Sequence, residues 1–147
     1  MEKGQVKIRH AEPSDYGRVI GVVNTWWSGR QMAPMLPKLF FLHFESTSFV
    51  AEDEDGALAG FLVGFLSQTH DDEAYVHFVG VDPRRRGSGL GRELYEHFFD
   101  AVRTLAVEAG GDVAVVSHGL ALSLLLDLSP DEWQAMPFAS VIQVLER

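Results

Sequence analysis

The chain contains no cysteine. That excludes a disulfide framework and any thiolate chemistry. Positive charge is scarce as well. Twelve Lys and Arg stand against 21 Asp and Glu, a formal net charge of −9, which argues against general binding to nucleic acid or to an anionic membrane. Long apolar runs are missing. The longest, Leu58 to Leu66, is broken by Gly60 and Gly64 and is too short to cross a bilayer. The opening residues Met1 to Gln5 are polar and lack the apolar run of a signal peptide, so the expected location is cytoplasmic. There is no internal repeat and no low-complexity segment. Asn24 is the only asparagine, and no tyrosine follows Tyr95. At 147 residues, with 46% apolar and 22% charged residues, residues 1–147 read as one globular domain able to bury a core.

The periodicities predict an α+β order. Val6 and Ile8 alternate with Lys7 and Arg9 as a short first strand. Pro13-Ser14-Asp15 opens a helix with Ser14 as N-cap, and Tyr16, Val19, Ile20, Val23, Trp26 and Trp27 share its buried face. Met32 to Phe44 is rich in aromatics but interrupted by Pro34 and Pro37, which predicts one or two short helices. Trp26, Trp27, Phe40, Phe41 and Phe44 are placed to line an acceptor pocket or simply to form core. Ser48 to Glu52 and Ala57 to Gln68 read as strands joined by an Asp-Gly hairpin turn at Asp53 to Gly56. After a second turn, Glu73 to Val81 forms a third strand of an antiparallel meander. Strict alternation puts Tyr75, His77, Val79 and Val81 on one face and Ala74, Val76, Phe78 and Gly80 on the other. His70-Asp71-Asp72-Glu73 reads as a solvated turn rather than a metal site.

Four of the 12 basic residues fall between Arg84 and Arg92. There the chain runs from the third strand through Asp82-Pro83 into Arg84-Arg85-Arg86, then Gly87-Ser88-Gly89-Leu90-Gly91-Arg92, and so into a helix with Leu90, Leu94, Phe98, Val102 and Leu105 at helical spacing. Glycines leave backbone N–H groups uncovered, and the helix start adds further N–H groups and the positive end of its dipole. This combination makes a site for a phosphate-bearing ligand. It is not a Walker loop, because no Lys-Ser/Thr follows. It is not the dinucleotide fingerprint either, because the glycine spacing differs and a meander precedes it. Val113 to Val116 then reads as a strand. It should lie parallel to the third strand after a right-handed crossover. Gly119 to Leu126 reads as an apolar helix, Ser129-Pro130-Asp131-Glu132 as the start of another, and Ala139 to Leu145 as a last strand.

The sequence Arg86-Gly87-Ser88-Gly89-Leu90-Gly91, after a strand and opening a helix, resembles the pyrophosphate loop of the GNAT N-acetyltransferase superfamily. Residues 5–107 are similar to that superfamily in their whole element order. The resemblance implies a mixed, mainly antiparallel sheet flanked by helices, with acetyl-CoA as co-substrate. Gly87, Ser88, Gly89, Leu90 and Gly91 would hold the pyrophosphate. Arg86 would open the motif, and Arg84, Arg85 or Arg92 would reach a further phosphate. Val79, Gly80 and Val81 would pair with the pantetheine arm and polarise the thioester. The implied reaction transfers acetyl directly to an amine within a ternary complex. His77 is the first candidate base, with Tyr75 and Glu73 on the same face. The expected acceptor is a small-molecule amine or a peptide, with neither nucleic acid nor membrane as partner.

The C-terminal part departs from that pattern. The superfamily tyrosine that protonates the leaving thiolate has no counterpart, which leaves Ser117, His118 or water for the role. Residues 112–147 instead resemble the end of phosphoglycerate mutase-like histidine phosphatases through Val113-Ala114-Val115-Val116-Ser117-His118-Gly119, and Arg9-His10-Ala11-Glu12 is similar to their phosphohistidine motif. Two alternatives follow: phosphoryl chemistry with His10 as nucleophile and His118 as partner, or a non-catalytic CoA-binding or dimerising module, a homodimer in the latter case, with Leu120 to Leu128 as its interface.

Overall fold

Six strands form one sheet in chain order, β1-β2-β3-β4-β5-β6. They are β1 (Lys7–His10), β2 (Phe49–Glu52), β3 (Leu58–Leu66), β4 (Glu73–Val81), β5 (Val113–His118) and β6 (Ala139–Val144). Every neighbouring pair is antiparallel except β4 and β5, which are parallel, as a crossover through a helix requires. These elements come from a computed structural model that describes residues 4–70, 72–109, 113–118 and 139–144, with side chains as far as residue 105. The apolar stretch Leu120 to Leu128 and the two helices expected between β5 and β6 lie outside the described residues.

Helices cover both faces. On one face α3 (Leu90–Ala109) buries Leu90, Leu94, Tyr95, Phe98 and Val102 against Leu62, Ala74, Val76, Val79 and Val81. On the other, α1 (Tyr16–Trp26) and the short α2 (Leu39–His43) bury Val19, Val23, Trp26, Phe40 and Phe41 against Val50, Phe61, Val63 and Phe78. Phe41 is fully buried core, whereas Trp27 and Phe44 are half-buried at the edge of this second layer.

Two expectations need correction. Ser14 is exposed within a 3-10 turn (Pro13–Asp15) and does not cap α1. The entry is held by Asp15, which accepts from the Glu12 N–H at 2.8 Å. The second concerns β4, whose alternation breaks in the middle. Val63 pairs with Phe78, but the next residue, Gly64, pairs with Val76. His77 is therefore the extra residue of a β-bulge. Ala74 and Val76 face α3, and so do Val79 and Val81. The face of Tyr75 and His77 continues with Phe78 and Gly80, not with Val79 and Val81. A Cβ on Gly80 would meet Phe61 at 2.6 Å and Trp27 at 2.9 Å. Only glycine fits beneath those rings.

Candidate active site

Strands β4 and β5 begin together and then part. Their ladder covers only Glu73–Ala114, Ala74–Val115 and Tyr75–Val116. Strand β4 continues to Val81 and β5 to His118. The bulge at His77 stands two residues past the last paired position, and a bulge bends its strand.

The ladder to β3 decides which groups of β4 face the open side. Asp82 N–H donates to Ala59 C=O at 2.9 Å, while Gly60 pairs with Val81 and Phe61 with Gly80. In an antiparallel ladder, bonded and non-bonded pairs alternate. Gly80 and Phe61 are therefore a bonded pair, and the N–H and C=O of Val79 and Val81 turn away from β3. Of the three expected thioester positions, Val79 and Val81 present backbone to the opening. Gly80 does not, because its backbone is engaged with Phe61.

The loop begins where β4 ends. Asp82 accepts from Arg84 N–H at 2.9 Å and starts a 3-10 turn (Pro83–Arg85). Gly87 and Gly89 have φ of 81° and 87°, the left-handed region that glycine alone enters at little cost. Among the described residues nothing lies within 4 Å of where a Cβ would be on either, so both backbones face open space there. Gly89 C=O accepts from Glu93 N–H at 3.1 Å, which makes Gly89 the first cap of α3. The N–H groups at the start of α3 have no intrahelical acceptor.

The arginines of the run are not gathered around this cradle. Arg84 is 86% exposed and its guanidinium pairs with Asp82 at 2.8 Å. That hydrogen bond holds the Asp82 carboxyl below its ordinary value. Arg85 pairs with Asp53 at 3.3 Å. Arg86 donates to Trp26 C=O at 2.6 Å, placing a cation at the C-terminal end of α1, where the helix dipole favours one. Ser88 donates its hydroxyl to Arg85 C=O at 2.5 Å, which closes the loop on itself. Leu90 contributes its side chain to the core, and Gly91 and Arg92 lie in the first turn of α3, Arg92 exposed. The cradle is thus backbone and dipole, with arginines bracing it.

On the α2 side, His77 and Tyr75 are half-buried and Glu73 is exposed. The His77 ring lies between Phe40 and Phe78, with centroids at 5.0 and 4.8 Å and planes within 14° and 15°. Its Nε2 is 2.7 Å from Met35 C=O. A carbonyl only accepts, so Nε2 carries the proton and the lone pair of the neutral ring is on Nδ1. Sequence reasoning missed what holds Met35. Asn24 Oδ1 accepts from the N–H groups of Met32 and Ala33 at 2.7 and 2.9 Å, and Tyr16 donates its hydroxyl to Leu36 C=O at 3.0 Å. These bonds strap the Met32–Leu36 segment to α1. That Asn24 is the single asparagine, near the end of a helix and before a proline-broken segment, was the available signal.

His10 and His118 do not form a site. His10 is on β1 and His118 ends β5, with three strands between them. Four strand spacings of about 4.8 Å put them about 19 Å apart across the sheet. His10 Nδ1 lies 2.8 Å from Glu45 C=O. Its neighbour Arg9 is bound by Asp15 and Glu52 at 2.9 and 2.6 Å. The phosphoryl-transfer alternative is therefore set aside. No group of metal-binding side chains occurs among the described residues, nor any helix long and apolar enough to cross a membrane.

A cradle of N–H groups that leads onto a strand edge unpaired among the described residues defines a class of protein suited to an extended ligand with an anionic head. Within that class, the chain belongs to the acetyltransferase (GNAT) family, whose model matches residues 13–116. It is 36% identical over 58 residues to L-2,4-diaminobutyric acid acetyltransferase of Chromohalobacter salexigens, a match covering 40% of this chain and 30% of that protein. The chain thus aligns with under a third of that curated relative's length. Among solved structures, the diaminobutyrate acetyltransferase of Paenibacillus lautus, in complex with L-2,4-diaminobutyric acid and coenzyme A, superposes with a TM-score of 0.63 at 19% identity, covering 84% of this chain and 74% of that one. N-acetylglutamate synthase of Neisseria gonorrhoeae, with coenzyme A and L-arginine, gives 0.64 at 14% identity over 96% of this chain and 33% of that one. At these identities the two structures share the fold alone. The C-terminal strands, expected to be phosphatase-like, take their place in the same sheet.

Proposed function

We propose that the protein transfers an acetyl group from acetyl-CoA to an amine. The observation that carries this reading is the open edge of β4 running straight into the Gly87–Gly91 cradle. The backbone N–H groups of Gly87, Gly89, Leu90 and Gly91, with the positive end of α3, suit a pyrophosphate. Val79 and Val81 suit the amide groups of a pantetheine arm, which would add to β4 as a short strand.

The chemistry is direct transfer, in a chain that has no cysteine to carry the acetyl group. The amine nitrogen attacks the thioester carbonyl carbon, and the carbonyl electron pair moves to oxygen. An N–H of Val79 or Val81 stabilises that oxyanion. Collapse breaks the C–S bond and expels the CoA thiolate. A lysine-like amine, pKa about 10.4, costs about 4–5 kcal/mol to present deprotonated at pH 7. His77 accepts that proton, with Tyr75 and Glu73 beside it on the strand. Ser117 and His118 follow the last β4–β5 pair, on the strand that borders the opening. They, or water, return a proton to the thiolate.

Calorimetry with acetyl-CoA tests the reading. The parent protein should bind. Gly89→Glu should lose at least 100-fold in affinity, because it strains a φ of 87° and puts a carboxylate into the cradle. Arg86→Ala should lose less, since Arg86 braces Trp26. A parent protein that does not bind acetyl-CoA would falsify the reading.

A further inference from the structure

The sheet face around His77 is lined with rings. Phe40 and Phe44 come from α2 and its end, Phe65 from β3, and Tyr75 and Phe78 from β4. Centroid separations of 5.3 Å for Phe44–Phe65, 5.5 Å for Phe65–Tyr75, 6.1 Å for Tyr75–His77 and 5.0 Å for Phe40–His77 make the set continuous. Phe40 and Phe78 are buried beneath, whereas Phe44, Phe65, Tyr75 and His77 keep part of their surface in solvent. At the rim Met35, Leu39 and Leu42 are 54%, 40% and 47% exposed, the large exposed apolar side chains of the described structure. Charge is confined to the margin. Glu73 begins β4, and Lys38 and His43 stand at the two ends of α2, all exposed.

This surface is half-exposed, aromatic and next to the histidine that the transfer reading uses. Aromatic faces attract an ammonium group, more so when it is partly desolvated, and Glu73 adds a negative charge at the margin. A carboxylate beside the amine would lose water against these rings without a fixed cation among them to replace it. Diaminobutyrate, the substrate named for the relatives, carries such a carboxylate.

We infer that the acceptor is an amine on an apolar or aromatic body, held by the ring surface of Phe44, Phe65 and Tyr75, and not an α-amino acid. The inference rests on the acetyl-transfer reading and names the substrate class of that site.

The test measures CoA release with phenethylamine, hexylamine and L-2,4-diaminobutyrate, alongside an NMR titration of the His77 ring in the CoA-bound protein. The expected result is a kcat/KM at least tenfold higher for phenethylamine and hexylamine than for diaminobutyrate. Phe65→Ala should lower the phenethylamine value about tenfold through KM, leaving the KM for acetyl-CoA unmoved. Phe65→Leu, which keeps apolar volume but removes the ring, should do the same more weakly. Diaminobutyrate turned over as well as the apolar amines, or a ranking unchanged in both variants, overturns the substrate class and leaves acetyl transfer standing. Shifts of the His77 resonances with phenethylamine but no acetylation of any amine would support the acceptor class and sink the transfer reading. Neither shift nor turnover overturns both.

Discussion

The two halves of β4 behave as different kinds of strand. From Glu73 to Tyr75 it is an ordinary interior strand, bonded on both sides. From Phe78 to Val81 it is paired, among the described residues, to β3 alone, and Val79 and Val81 offer backbone to the other side. Between them stands one extra residue, His77. Composition does not separate the halves, since both are apolar and β-prone. A single bulge bends the strand at the point where its parallel neighbour leaves. A site of this kind is made by withholding a hydrogen-bonding partner, and the side chains around it mostly serve to keep it open.

Removing the bulge should give the largest effect. Deletion of His77 leaves every other β4 residue on its present face, so the protein should still fold. A straightened strand would zip further along β5, and acetyl-CoA affinity should fall at least tenfold with no measurable transfer. Retained affinity would break the link between bulge and opening. His77→Gln keeps the bulge and removes the base: kcat should fall about 100-fold, within the usual range for losing a general base, with acetyl-CoA affinity unchanged. Asn24→Ala loosens the strap that holds Met35 against Nε2. Its kcat should fall several-fold, acetyl-CoA binding should hold, and the His77 ring ¹⁵N shifts should report a mixture of tautomers.

The smallest effect on activity belongs to a cluster away from the opening. Asp15, only 3% exposed, accepts from Arg9, Arg18 and Glu12 N–H, and Arg9 and Arg18 also bind Glu52. Burial pushes the Asp15 carboxyl up, but the hydrogen bonds outweigh it and hold it below its ordinary value. Arg9 does the same for Glu52. Depressed carboxylates stabilise the fold fully above their unfolded pKa of about 4. They cease to do so as pH falls through their folded values. Asp15→Asn should cost about 2 kcal/mol at pH 7, discounted because both arginines are about one-third exposed. Its loss of stability below pH 4 should be shallower than the parent's, with kcat unmoved. Thermal unfolding across pH 3–8 checks both.

This cluster and the Arg84–Arg86 run show how sequence misleads about charge. Three adjacent arginines before a glycine loop suggest a phosphate clamp. In the fold each has a partner inside the protein: Asp82, Asp53 and the Trp26 carbonyl. Asp82 and Asp53 could have been suspected, since an Asp-Pro after a strand and an Asp-Gly turn are both local signals. The Trp26 carbonyl could not, because 60 residues of chain separate it from Arg86.

Local periodicity and turn chemistry were enough, from the sequence alone, for the meander, the parallel β4–β5 pair and the glycine turn that opens α3. Glycine at left-handed φ and a helix start are properties of a few adjacent residues. Both glycines of β3, Gly60 and Gly64, even border shifts of register, as isolated strand glycines tend to do. What they did not say is which strand carries the extra residue. Only tertiary pairing decided that His77 is the bulge, that Val79 and Val81 rather than Gly80 turn toward the opening, and that His10 and His118 are four strand spacings apart. A one-residue shift reverses every face beyond it. The position of that shift is set by packing α3 on one side of the sheet and α1 and α2 on the other, not by the residues of β4.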